Sequence, residues 1–206
     1  MSKDWVGNEH ATFAQLGASN HCETKREIND FYATDPKTLE IFLNKLQEDG
    51  INLHKNIWEC ACGQGHLSKI LEAKGYKVWS TDLIDRGYGE GGVDFLTCLP
   101  GGTWIGDIIT NPPYKYAKQF VEKALEITQI GKYTIMLLKI QFLEGKERYH
   151  LFKKYPPKYI YVNSSRQKCV INGDFKNSGT SAMCYCWYVW EKGFYGEPKI
   201  RWIKGD

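Results

Sequence analysis

The chain has 206 residues, 42% of them apolar and 25% charged, with a formal net charge of +3. That length and balance suit one globular domain with a full core and exclude a fibrous or largely disordered chain. No apolar run is as long as a membrane span and no basic-then-apolar leader opens the chain, so a cytoplasmic protein without membrane contact is expected.

Residues 1–28 have neither helical nor strand periodicity and read as an irregular amino-terminal arm, followed by a single domain over 29–206. Asp35-Pro36 is a helix start, a capping carboxylate before a proline at the first helical position. Leu39, Phe42, Leu43 and Leu46 form its apolar stripe, and Gly50 ends it. "KNIWEC" reads as a buried strand running into "ACGQG", and Leu67, Ile70 and Leu71 mark a helix closed by Gly75. "KVWSTD", "GGVDFL" and "WIGDIIT" read as strands. A helix with Ala117, Phe120, Val121, Ala124 and Leu125 inward runs to Gly131. "YTIMLLKI" is apolar nearly throughout, as a central strand must be. A helix from Glu147 to Tyr155 stops at Pro156-Pro157 before "KYIYV". "AMCYCWYVW" and "KIRWI" read as arms of a hairpin across "EKGFYGEP".

Strand–helix alternation with a terminal hairpin predicts an α/β fold, a mostly parallel sheet flanked by helices with an antiparallel edge. Ligands of such sheets collect at the carboxyl ends of the strands, where four loops fall here. In "ECACGQG", glycines 63 and 65 allow close backbone approach and Glu59 supplies a carboxylate. Asp82 lies 19 residues after Gly63, at the end of the next strand, where a carboxylate can take two ribose hydroxyls. The third small residue of a dinucleotide fingerprint is replaced by Ser68. A cofactor with an ammonium and a ribose but no pyrophosphate, S-adenosylmethionine, suits this set better.

"NPPY" ends the next strand. Two prolines stiffen the backbone around the Asn111 side-chain oxygen and the Pro112 carbonyl, two acceptors for an amino group whose lone pair is delocalised into a ring. Pro113 completes the rigid segment and Tyr114 offers a stacking face.

"ECACGQG", "TD" at 81–82, "DF" at 94–95 and "NPPY" stand in the order found in amino-methyltransferases of DNA bases. With "LGASNH", "REINDFYATDP" and "FLEGKER", the chain from Leu16 onward resembles the small adenine-N6 DNA methyltransferases of phages and prophages. The resemblance implies a Rossmann-like class I methyltransferase fold with a seven-stranded sheet. It also implies that Tyr32, Thr34 and Pro36 enclose the methionine end of the cofactor and that Asp94 and Phe95 bracket its adenine. Glu59-Cys60 stands where the commoner form of the loop has Asp-Pro, which keeps the carboxylate.

Lys139, Arg166 and Lys168 are candidate contacts to DNA, either single-stranded or with its target base flipped out of the duplex. His66 is a candidate contact to cofactor or substrate. With no separate domain to read sequence, recognition would fall to the arm, to residues 163–182 or to a second copy in a homodimer. Cys60/Cys62 and Cys184/Cys186 are spaced too closely for the usual zinc ligand pairs and read as reduced core cysteines, with no metal. The same acceptors would also serve cytosine N4, an RNA base or a protein glutamine. A non-catalytic cofactor- or nucleic-acid-binding module is the reading from another class.

Overall fold

The computed structural model describes residues 32–98, 101–165, 169–171 and 183–204. The 1–28 arm, Arg166, Lys168 and most of the 163–182 segment lie outside them. In chain order the elements are β1 (Tyr32–Thr34), α1 (Pro36–Glu48), β2 (Asn56–Glu59), α2 (His66–Ala73), β3 (Lys77–Ser80), β4 (Asp107–Thr110) and α3 (Ala117–Ile127). Then follow β5 (Tyr133–Lys139), α4 (Lys146–Lys154), β6 (Tyr159–Asn163), β7 (Cys169–Ile171), β8 (Tyr185–Glu191) and β9 (Lys199–Ile203).

Local chemistry sets the element ends. The Asp35 carboxylate accepts from the Lys37 N–H at 3.0 Å, with Pro36 at the first helical position of α1. Thr38, Leu39, Phe42, Leu43 and Leu46 are the buried residues of that helix. Asp107, fully buried at the start of β4, accepts from the N–H of His54 at 2.5 Å and of Tyr133 at 2.7 Å. One carboxylate thereby ties the segment before β2 to the first residue of β5.

Seven strands form one sheet in the order β3-β2-β4-β5-β8-β6-β9, and β8 alone runs against the others. Period two along the strands builds two apolar layers. On one face Trp58, Ile108, Met136 and Tyr188 pack with Phe120, Val121 and Ala124 of α3. On the other, Ile57, Ile109, Ile135 and Trp187 pack with Leu39 and Phe42 of α1 and Leu67 and Leu71 of α2. A separate pair, β1 with β7, is antiparallel. Among the described residues no helix is long and apolar enough to cross a membrane.

The mostly parallel seven-stranded α/β sheet matches the expected class, with two corrections. "GGVDFL" is not a strand. Asp94 there accepts the Leu96 N–H at 3.0 Å on its side chain and the Thr97 and Cys98 N–H groups on its carbonyl, closing a turn. A short acidic side chain competes with the sheet for backbone donors in this way. The second correction concerns the hairpin arms. β8 pairs with β5 and β6, while β9 pairs in parallel with β6 at the sheet edge. Tyr185 to Trp190 are all buried, so β8 needs a neighbour on each side, whereas β9 is largely exposed and fits an edge.

Candidate active site

A cavity of about 440 Å³ opens where β2, β3 and β4 end. Thr34, Glu59, Asp82, Asp94 and Phe95 line it, as does the whole Asn111-Pro112-Pro113-Tyr114 segment. With His66, ten of the candidate site residues singled out in the sequence therefore meet in one place, drawn from four strand ends, the start of α2 and the turn after β3.

Glu59 is the last residue of β2, and only 2% of its surface is exposed. Its carboxylate accepts from the Ser68 hydroxyl, which is itself 2.7 Å from the Ser80 hydroxyl. Burial pushes the Glu59 carboxyl up to about 8, against the opposing pull of the Ser68 hydrogen bond. Glu59 thus favours its protonated form at neutral pH, and a cation placed beside it would restore its charge. Ser68, which breaks the dinucleotide fingerprint, turns out to be the carboxylate's partner.

Asp82 follows β3. One of its oxygens accepts the Gly63 N–H at 2.8 Å and the other the Ile84 N–H at 2.9 Å. Each oxygen retains a lone pair for a ligand hydroxyl. Gly63 and Gly65 themselves do not line the cavity; Cys60, Ala61 and Cys62 of the same loop do. The two glycines act on the loop's shape: both have positive φ, and a Cβ on Gly65 would stand 2.3 Å from the Tyr88 ring.

Phe95 forms part of the cavity wall yet is only 2% exposed, because its ring is held against Trp58 at 5.1 Å and Phe120 at 5.0 Å. The side chain from which a ring contact is expected is thus fixed in the core. Asp94 shares one carboxylate oxygen with the turn that replaces the expected strand.

At the end of β4 the Asn111 amide NH2 donates to the Thr34 hydroxyl at 2.9 Å. This commits the donor end of the amide and sets its oxygen as the acceptor end. That oxygen and the Tyr114 hydroxyl are both buried, so a ligand group reaches the oxygen only after neighbouring side chains shift. The Tyr116 N–H donates to the Pro113 carbonyl, opening a short 3-10 turn that feeds α3. The Tyr114 ring lies 5.8 Å from Tyr185, and the Lys139 ammonium lies 5.0 Å from its centroid. Lys139 is thus beside the segment, although it does not line the cavity.

Pro36 serves α1 and lies off the cavity wall, and Tyr32 is placed only as a β1 residue paired with Ile171. His66, Arg86 and Lys115 do line the cavity. Arg86 and Lys115 escaped sequence reading because they sit in turns without periodicity. Burial holds the Cys60 thiol well above its ordinary value and pushes Cys62 and Cys186 up to about 12, so none is poised as a nucleophile. Among the described residues no three His, Cys, Asp or Glu side chains gather as a metal site requires.

No family model and no curated protein matches the chain. Solved structures do share its fold. A candidate RNA methyltransferase from Pyrococcus horikoshii superimposes with a TM-score of 0.59 at 15% identity, over 92% of this chain and all of the other. A candidate class I S-adenosylmethionine-dependent methyltransferase from Listeria monocytogenes gives 0.57 at 16% identity, over 94% of this chain and 71% of the other. A type IIG restriction endonuclease gives 0.54 at 17% identity, over 79% of this chain and 26% of the other. At such identities the likeness establishes a Rossmann-like methyltransferase fold, while activity has to be argued from the site.

Proposed function

We propose that the chain transfers a methyl group from S-adenosylmethionine to the exocyclic N6 amino group of adenine in DNA. The observation that carries this reading is the Asn-Pro-Pro-Tyr segment forming a wall of the same cavity that holds the carboxylates of Glu59, Asp82 and Asp94. The donor set fits the cofactor: a buried carboxylate for an ammonium, a backbone-anchored carboxylate for ribose hydroxyls, and a carboxylate beside Phe95 for an adenine. A cavity of about 440 Å³ is of a size for such a molecule.

The cofactor, when bound, supplies an electrophilic methyl group. The protein's part is to prepare the acceptor nitrogen. The Asn111 amide oxygen and the Pro112 carbonyl accept hydrogen bonds from the two amino N–H groups, which draws the lone pair out of conjugation and offsets the developing positive charge. As the carbon–nitrogen bond forms, the methyl–sulfur bond would break to leave S-adenosylhomocysteine, and the methylated nitrogen then gives up one hydrogen as a proton to solvent. Thr34 keeps the amide in that orientation and the prolines hold the backbone, so the movement that admits the amino group falls to the surrounding side chains. Tyr114 stacks on the base, with Lys139 close enough to pair with a neighbouring phosphate. No covalent enzyme intermediate is needed, in keeping with the protonated thiols.

DNA as the substrate is supported by the order of the motifs. The target base must leave the stack, at a cost of a few kcal/mol in duplex and less in a single strand. The test is product analysis: unmethylated DNA is incubated with the protein and methyl-labelled S-adenosylmethionine, then digested to nucleosides. The expected label is in N6-methyladenine. Label in N4-methylcytosine, in RNA alone or in protein glutamine overturns the assignment.

A further inference from the structure

We infer that the outer face of α4 binds the DNA strand that delivers the target base, with phosphates on Lys146 and Lys153 and a flanking base on Tyr149. This rests on the DNA-methylation reading above and adds to it a surface outside the cavity.

Lys146, Tyr149, His150 and Lys153 follow the spacing i, i+3, i+4, i+7 and so form one stripe along α4. All four are exposed, and Leu151 is the one buried residue of the helix. Tyr149 is 58% exposed. It is also organised: the His150 ring meets it edge-on at 5.6 Å, and the Lys153 ammonium lies 5.9 Å from its centroid. With Leu143 and Phe152 these residues line a shallow groove of about 740 Å³. Cations beside an open aromatic face are the chemistry of a single-strand surface, phosphate pairing combined with sequence-tolerant stacking. The carboxylates nearby are Glu144, which precedes the helix, and Glu147, which lies off the stripe with an oxygen 4.0 Å from the Lys118 ammonium.

The stripe is joined to the cavity. β5 ends at Lys139 beside Tyr114, and a short 3-10 turn over Ile140–Leu143 leads directly to α4. Arg148 pins that turn by donating to the Gln141 carbonyl at 3.3 Å and lying over the Phe142 ring. Lys118, in the first turn of α3 just after the Asn-Pro-Pro-Tyr segment, bridges to Glu147 of α4. A strand whose base stacks on Tyr114 therefore meets Lys139, at the start of the turn that leads to α4.

The test is fluorescence anisotropy with labelled single-stranded and duplex DNA oligonucleotides across a salt series. The proteins are wild type, Lys146→Ala/Lys153→Ala, Tyr149→Ala and Tyr149→Phe, with S-adenosylhomocysteine affinity measured for each. The double variant is expected to bind more weakly, its dependence of log affinity on log salt shallower by about 1.4 on single strands for two lost phosphate contacts. Tyr149→Ala should weaken single-strand binding roughly tenfold, and Tyr149→Phe should restore it. If wild type binds DNA and all the variants match its affinity and salt slope, the surface is wrong while the methylation reading stands. If wild type binds S-adenosylhomocysteine but no DNA, the reading itself fails and this inference with it. Loss of S-adenosylhomocysteine binding in a variant would assign α4 to holding the cavity and overturn its role as a DNA surface.

Discussion

Replacing Glu59 by Gln should stabilise the empty protein and cripple its cofactor binding. Burial pushes this carboxyl up to about 8 from an ordinary 4.5. Between those values the unfolded chain has lost the proton and the folded chain has kept it, so stability falls as pH rises through this window. The loss from this group comes to roughly 3 kcal/mol at pH 7, most of it between pH 5 and pH 7. A glutamine can still accept from Ser68 but never ionises. The wild-type melting temperature should therefore drop by roughly 5–10 °C relative to Glu59→Gln between pH 5 and pH 7. Addition of S-adenosylhomocysteine should reverse the ranking, because its ammonium draws Glu59 into the charged form. Its affinity for wild type should climb toward pH 8 with release of up to one proton, a rise the variant lacks. Thermal denaturation and calorimetry in buffers of different ionisation enthalpy measure both effects. The reasoning is refuted if Glu59→Gln melts below wild type at pH 8 without ligand, or binds S-adenosylhomocysteine equally well.

Thr34→Val should lower the methylation rate by at least tenfold and by clearly more than it lowers S-adenosylhomocysteine affinity, since it frees the Asn111 amide to rotate; steady-state kinetics with a binding titration separate the two effects. Gly65→Ala should cost about 2 kcal/mol or more in urea denaturation, from the positive φ and the clash with Tyr88. Tyr88→Ala in the same chain should recover the steric part alone. Phe95→Ala should cost about 3–5 kcal/mol in the same assay and weaken cofactor binding too, because one ring serves both the core and the cavity wall.

What could be read from the sequence was local. Asp35-Pro36 and Gly50 bound α1 because caps and left-handed turns are residue-specific chemistry, and "YTIMLLKI" is central because both its faces are apolar. "GGVDFL" misled because a Val-Asp-Phe alternation has the period of a strand while Asp94 spends its oxygens on a turn. The β8–β9 hairpin misled because chain neighbours usually pair. The unbroken apolar run of β8 already called for two neighbours, and β6 takes the place between β8 and β9. At the cavity, Glu59, Asp82 and Asn111 were legible from their positions at strand ends. Their partners were not: Ser68 read as a failed fingerprint, and Thr34 meets Asn111 across 77 residues of chain.

The most direct test of the central claim compares wild type with Asn111→Ala in single-turnover methylation of unmethylated DNA, with S-adenosylhomocysteine affinity measured on both. Asn111→Ala should transfer methyl groups to adenine at least about a hundredfold more slowly, with cofactor affinity essentially unchanged. A variant that methylates at the wild-type rate, or one whose rate falls only as far as its cofactor affinity does, would contradict the account.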